Sequence, residues 1–167
     1  MEDKREFLET KARQARELAL TVIASFGNGH VGGSMTIMDA LAVLFYDAMR
    51  LDDQDPDWPH QKLDNLTVLV DNNGLQIDGR NQDVMDDRDI AAKFAAFGFE
   101  TIDVADGNDI VQVLAALDQP GQTGKPRMIL CHTVKGKGVS FMENQAGWHG
   151  KAPNAEQCRQ ALQELEG

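Results

Sequence analysis

"LTVLVDNNGLQIDG", Leu66 to Gly79, joins an uncharged β-branched run to a turn dense in Asp, Asn and Gly. The run Leu66–Val70 is too short for a helix and is bounded by turn residues. That is the pattern of a strand buried on both faces of a parallel sheet. Ligands of open parallel sheets gather beyond the carboxyl ends of the strands, so the turn Asp71–Gly79 is placed where a site would be. The residues leave two readings open. Asn72, Asn73 and Gly74 serve a turn that needs left-handed backbone angles, or their oxygens hold a hard cation such as Mg²⁺ or Ca²⁺.

Downstream the pattern repeats. "DRDIAAKFAAFG" predicts an amphipathic helix stopped by Gly98, and "ETIDVA" a second strand. "NDIVQVLAALDQ" predicts a helix with an Asn or Asp cap, "PGQTGKP" a turn and "RMILCHTV" a third strand. Strand, helix, strand, helix, strand with short connections implies right-handed crossovers and a parallel sheet. "KGKGVSFMENQAGWHGKAP" reads as a glycine-rich loop, and residues 155–165 as a closing helix.

Upstream, apolar residues recur at helical spacing from Lys4 to Ser25, with charges on the opposite face. "FGNGHVGGS" ends that helix, and Ser34 or Thr36 is placed to cap a second one running to about Arg50. "LDDQDPDWPH" reads as an acidic loop or linker. Three buried strands with few helices make a thin, poorly covered sheet, so a partner is expected.

The 167 residues suit a single domain, 1–167. Sixteen basic against 27 acidic residues give a net charge of −11, which disfavours nucleic acid and anionic membranes as partners. The charged N-terminal stretch reads as neither a signal nor a transit peptide, and a cytoplasmic location with reduced cysteines is expected. The four His and two Cys have no zinc-ligand spacing. No P-loop, G-x-S-x-G elbow or G-x-G-x-x-G follows a strand. His30 and His149 each lie among glycines, exposed to a ligand or incidental to a turn. Lys135 and Lys137 read as phosphate partners or, more simply, as solvated charges; His60 and His132 read as structural or incidental.

Four stretches, "GHVGGSMTIMDALAVLFYDAMRLD", "HQKLDNLTVLVDNNGLQIDG", "FAAFGFETIDVADGND" and "HTVKGKGVSFMENQAGWHGKAPN", resemble in order the N-terminal, diphosphate-binding part of transketolases, especially the split bacterial kind. The resemblance implies an α/β fold, a reduced parallel sheet of the thiamine-diphosphate-binding type with flanking helices. It implies thiamine diphosphate and Mg²⁺ held between this part and an aminopyrimidine-domain, C-terminal transketolase subunit, with transfer of two-carbon ketol units between sugar phosphates. By resemblance Asn73 offers a side-chain oxygen and Leu75 a backbone carbonyl to the metal, while His30 and His149 face the diphosphate and substrate. Val31 stands where the family usually has proline.

The chain departs from the family at an apparent junction near residues 59–60, where "DPDWP" passes directly to "HQKLDNL". The family's intervening G-D-G segment, which carries the principal metal-ligand aspartate and a central strand, has no counterpart. Weak or failed cofactor binding, no activity of the chain alone and a homodimer with a rebuilt interface are therefore expected. The competing expectation is a non-catalytic, dimeric scaffold or partner-binding protein. A phosphate-ligand domain using "KGKG" and the loop at His30 is a third reading.

Overall fold

A computed structural model of the chain describes residues 2–48, 66–122 and 124–166. The helix end near Arg50, the acidic loop, His60 and the junction at 59–60 lie outside the described residues.

Helix α1, Glu2–Phe26, buries Leu8, Ala12, Arg16 and Leu20, one residue per turn. Gly27 ends it at φ +67, a left-handed angle that only glycine adopts at no steric cost. The second predicted helix is in pieces: α2 (Val31–Thr36), α3 (Met38–Val43) and a π-helical turn, Leu44–Ala48. Ser34 and Thr36 do not cap it. The helix starts earlier, at Val31, and both hydroxyls donate back to carbonyls four residues before, Ser34 to His30 at 3.0 Å and Thr36 to Gly32 at 2.7 Å.

Strands β1 (Thr67–Asn72), β4 (Glu100–Val104) and β5 (Arg127–His132) form one parallel sheet in the order β1-β5-β4. The last strand in sequence takes the centre, and Met128, Ile129, Leu130 and Cys131 are all buried. Strand β1 is instead an edge among the described residues, and Val68, Leu69 and Val70 are only half-buried. Among the described residues β1 is thus only partly covered, short of the burial on both faces expected of it. Between β1 and β4 come a two-residue hairpin, β2 (Leu75–Gln76) and β3 (Gly79–Arg80), and helices α4 (Asn81–Val84) and α5 (Ile90–Ala96). Helix α6 (Ile110–Asp118) precedes β5, and α7 (Ala155–Glu166) follows the 3₁₀ turn Ala146–Trp148.

The caps are local chemistry. Asp89 accepts from Ala92 N–H at 2.8 Å and Asp109 from Val111 N–H at 2.9 Å. Asn154 and Gln157 exchange reciprocal bonds at 2.9 and 3.0 Å, a capping box for α7.

Two apolar clusters follow. In the first, α1, α3 and α6 cover one sheet face through Leu8, Ala12, Val43, Ile110, Val113, Ile129 and Cys131. In the second, Leu20, Val31 and Met35 meet Val139, Met142, Trp148, Ala161 and Leu165, so α1, α2, the glycine-rich loop and α7 share one core. Each fully buried Val, Leu, Ile or Met among them contributes about 1.5–3 kcal/mol.

Burial, with the carboxylates of Asp71 and Asp103 adding to it, pushes the Cys131 thiol up to about 11. Its thiolate fraction at pH 7 is then on the order of one in ten thousand. In the native protein iodoacetamide is expected to label the half-buried Cys158 and to reach Cys131 only with denaturant. Peptide mass spectrometry reads the difference, and native labelling of Cys131 would contradict its burial.

Candidate functional site

Register builds the site. Asn72 pairs with His132 at the carboxyl ends of β1 and β5, and Thr133 N–H continues the ladder to the Asn72 carbonyl at 3.3 Å. This sets Thr133 beside Asp71, and the Thr133 hydroxyl donates to the Asp71 carboxylate. Burial raises the Asp71 carboxyl above its ordinary value; bonds from Thr133 and Asn73 and the charge of Lys135 oppose the rise.

Asn73 makes the turn that its sequence suggests. Its Oδ1 accepts Leu75 N–H at 3.1 Å, and Gly74 sits at φ +71. A cleft of about 460 Å³ opens here, lined by Asp71, Asn73, Leu75, Asn81, Asp87 and Lys93 among others. His30 and His149 are not among its lining residues.

The two histidines meet each other elsewhere. Val31 and Trp148 are buried in the same cluster, and each is the chain neighbour of one imidazole. Trp148 is further fixed by its Nε1–H, which donates to the Phe141 carbonyl at 3.0 Å. The rings of His30 and His149 consequently stand edge to face, centroids 5.2 Å apart. Desolvation, then the charge of Lys135, then His30, holds His149 below the usual imidazole range.

Lys135 corrects the sequence reading: it is no solvated charge but a side chain only 2% exposed. Its Nζ lies 3.4 Å from His149 Nδ1. Burial lowers its ammonium from the ordinary lysine value, while Asp71 pulls it back up. Through Lys135 the turn at Asp71 and the histidine pair are linked electrostatically. Lys137 behaves as expected, half-exposed with Glu143 at 3.9 Å. His132 binds Asp103 at 2.9 Å across β5 and β4, a structural pairing at the exposed sheet end.

Two residues that the sequence did not assign to the site hold this end together. Arg16 of α1 donates to the Met35 carbonyl at 3.0 Å and grips Asp39 of α3 with two further N–H groups, one of them at 3.1 Å. Asn108, in the loop after β4, donates to Asp39 and to the Thr36 carbonyl, both at 2.9 Å, and accepts Val134 N–H at 2.8 Å. The position just before Lys135 is thus tied to both helices. In the sequence Arg16 is one of many charges on α1 and Asn108 one of two equivalent cap candidates.

The described donors at the end of β1 do not form a ready divalent-cation site. Among the described residues no three His, Cys, Asp or Glu side chains group to hold a metal. The Asn73 amide oxygen is engaged in its own turn. Asp71 is the carboxylate at that end of β1, and it is held by Thr133 and Asn73. Mg²⁺ usually keeps several waters and is bound through one or two carboxylates plus phosphate oxygens. Lys135 beside the imidazoles does suit a phosphate-bearing anion.

Against known proteins, residues 59–166 match the family "Transketolase, thiamine diphosphate binding domain". The chain is 38% identical over 106 residues to one subunit of the apulose-4-phosphate transketolase of Phocaeicola vulgatus, a match covering 62% of this chain and 37% of that protein. It is 36% identical over 107 residues to the 6-deoxy-6-sulfo-D-fructose transketolase subunit SqwG of a Clostridium species, covering 64% and 38%. These matches thus span under two-fifths of each relative's length. The crystal structure of Campylobacter jejuni transketolase superposes with a TM-score of 0.81 at 16% identity, over 96% of this chain and 43% of that one, a likeness of fold.

Proposed function

The chain belongs to the transketolase, thiamine diphosphate-binding-domain family, and from that premise we propose that it is a shortened diphosphate-side section of a transketolase-type protein with impaired cofactor binding. On this reading it derives from the machinery of ketol transfer between sugar phosphates and does not run that reaction alone. The observation that carries the proposal is the donor set at β1: Asn73 and Leu75 remain, but the two carboxylates lining the cleft, Asp71 and Asp87, are each hydrogen-bonded to protein partners, Thr133 and Asn81. Replacing a charged ligand with neutral oxygens weakens Mg²⁺ binding. His30 and His149 are read as the groups that face the diphosphate, supported by their contact with each other and by Lys135 beside His149.

Titration calorimetry with thiamine diphosphate and Mg²⁺ tests the reading. The expected dissociation constant is about 1 mM or weaker; binding near 1 μM, some 4 kcal/mol stronger, would overturn it.

The second reading, a non-catalytic dimeric scaffold or partner-binding protein, is favoured by apolar surface. A groove of about 550 Å³ runs between α1 and α3, lined by Leu18, Met38, Leu41, Phe45 and Tyr46 among others. Phe26, Leu18, Tyr46 and Phe45 are more than half exposed. Several relatives are named as transketolase subunits, which favours an assembly with another chain. The two partners to test are therefore a second copy of this chain and a C-terminal transketolase subunit. Light scattering after size exclusion is expected to give a dimer, and a monodisperse monomer would count against it. No helix among the described residues is long and apolar enough to cross a membrane, and the proposal places the protein in the cytoplasm.

A further inference from the structure

We propose that Lys135 is a positioning residue that holds His149 in the Nε2–H tautomer, so that His149 presents a hydrogen-bond donor on the ring edge away from the lysine.

Three features fix the lysine. Its side chain is 2% exposed. Its stem packs on Gly32, where a Cβ would stand 3.0 Å from Lys135 Cε and 3.0 Å from the Trp148 carbonyl oxygen. Its backbone carbonyl accepts Asn144 N–H at 2.9 Å, and the next residue, Gly136, donates to the Gly32 carbonyl at 3.3 Å. The ammonium therefore has little freedom to turn elsewhere.

The histidine is fixed from its own side. Its N–H donates to the Ala146 carbonyl at 2.9 Å, closing the 3₁₀ turn, and the preceding Trp148 is anchored in the second core. The ring reaches the lysine with Nδ1, at 3.4 Å.

The chemistry then leaves one arrangement. An ammonium has three donors and no acceptor, so Nδ1 must offer its lone pair. A neutral imidazole carries one ring proton, which is consequently on Nε2. Turning the ring over would set a C–H group against a buried cation and leave that cation without its hydrogen bond, a costly exchange. Protonating Nδ1 would remove the same bond and place two positive charges together, in line with the lowered basicity of His149.

The inference deepens the functional reading in one respect, the character of the His149 edge available to a ligand. A donor there suits an oxygen-rich anion or a hydroxyl, whereas the Nδ1–H tautomer would offer a lone pair and repel a phosphate oxygen. The measurement is independent of whether thiamine diphosphate binds.

Long-range ¹H–¹⁵N correlation of the ligand-free, full-length protein at pH 8 separates the tautomers, with a His149→Gln sample supplying the assignment. For His149 the expected spectrum has Nε2 at the protonated position and Nδ1 at the unprotonated one. A protonated Nδ1 in the wild-type protein overturns the proposal outright. In Lys135→Met, which keeps the stem, Nδ1 is expected to shift toward the average of two exchanging tautomers. The midpoint of His149, which Lys135 and His30 face, should rise as the Lys135 charge is removed while desolvation remains. An unchanged Nδ1 shift in a variant that keeps its circular dichroism would also overturn it. If that variant does not fold, the wild-type spectrum decides alone.

Discussion

Asp39→Ala is expected to destabilise the protein by about 3–5 kcal/mol, because it leaves the buried Arg16 guanidinium without its counter-charge. Both side chains are less than a tenth exposed, and Asp39 also receives Asn108. Truncation would strand three donors at once, two of Arg16 and one of Asn108. In a chain of this length the loss corresponds to a melting point lower by roughly 10 °C. Urea denaturation followed by Trp fluorescence measures it. A loss below about 1 kcal/mol would mean that the clasp is solvated and contributes as little as a surface pair. Arg16→Met combined with Asp39→Leu should recover much of the loss, since an apolar pair of similar volume asks for no desolvation of charge.

Gly136→Ala is the second large effect, expected at about 2–5 kcal/mol from left-handed strain and overpacking together. Gly136 has φ +76, and an added Cβ would stand 2.6 Å from the Met142 carbonyl oxygen, a backbone atom that cannot swing aside. The residue joins Lys135 to the loop that carries Trp148, so the damage falls on the histidine pair as well as on stability. Gly33→Ala supplies the contrast. Gly33 lies within α2 with nothing within 4 Å of its Cβ position, and alanine there is expected to be neutral or to stabilise by about 0.5–1 kcal/mol. Equal effects at the two positions would show that the Met142 contact does not constrain the loop.

Much of the secondary structure was legible in the residues because its causes are local. β-Branched runs bounded by turns marked the three strands to within a few residues, and Asp89, Asp109 and Gly98 punctuate the helices as their chemistry requires. The hairpin after Asn73 and the break at Ile37 were not legible, since two-residue strands and π-turns carry no periodic signal. The burial of Lys135 was not legible because nothing in "KGKG" tells its two lysines apart. One is buried and the other half-exposed because Gly32 arrives from a distant part of the chain and Trp148 folds back from the loop that follows.

Sequence alone determined the parallel α/β character, the family resemblance and the residue types available at the carboxyl end of β1. The α/β character and the turn residues follow from hydrophobic period and turn chemistry, which act between near neighbours, while the resemblance rests on the four stretches taken in order. Tertiary structure decided that β5 rather than β1 is central, that His30 and His149 touch, and that Asp71 is tied to Thr133. These depend on strand register and on a core shared by segments more than a hundred residues apart, and such long-range pairings are chosen by packing of the whole chain, not by any one stretch of it.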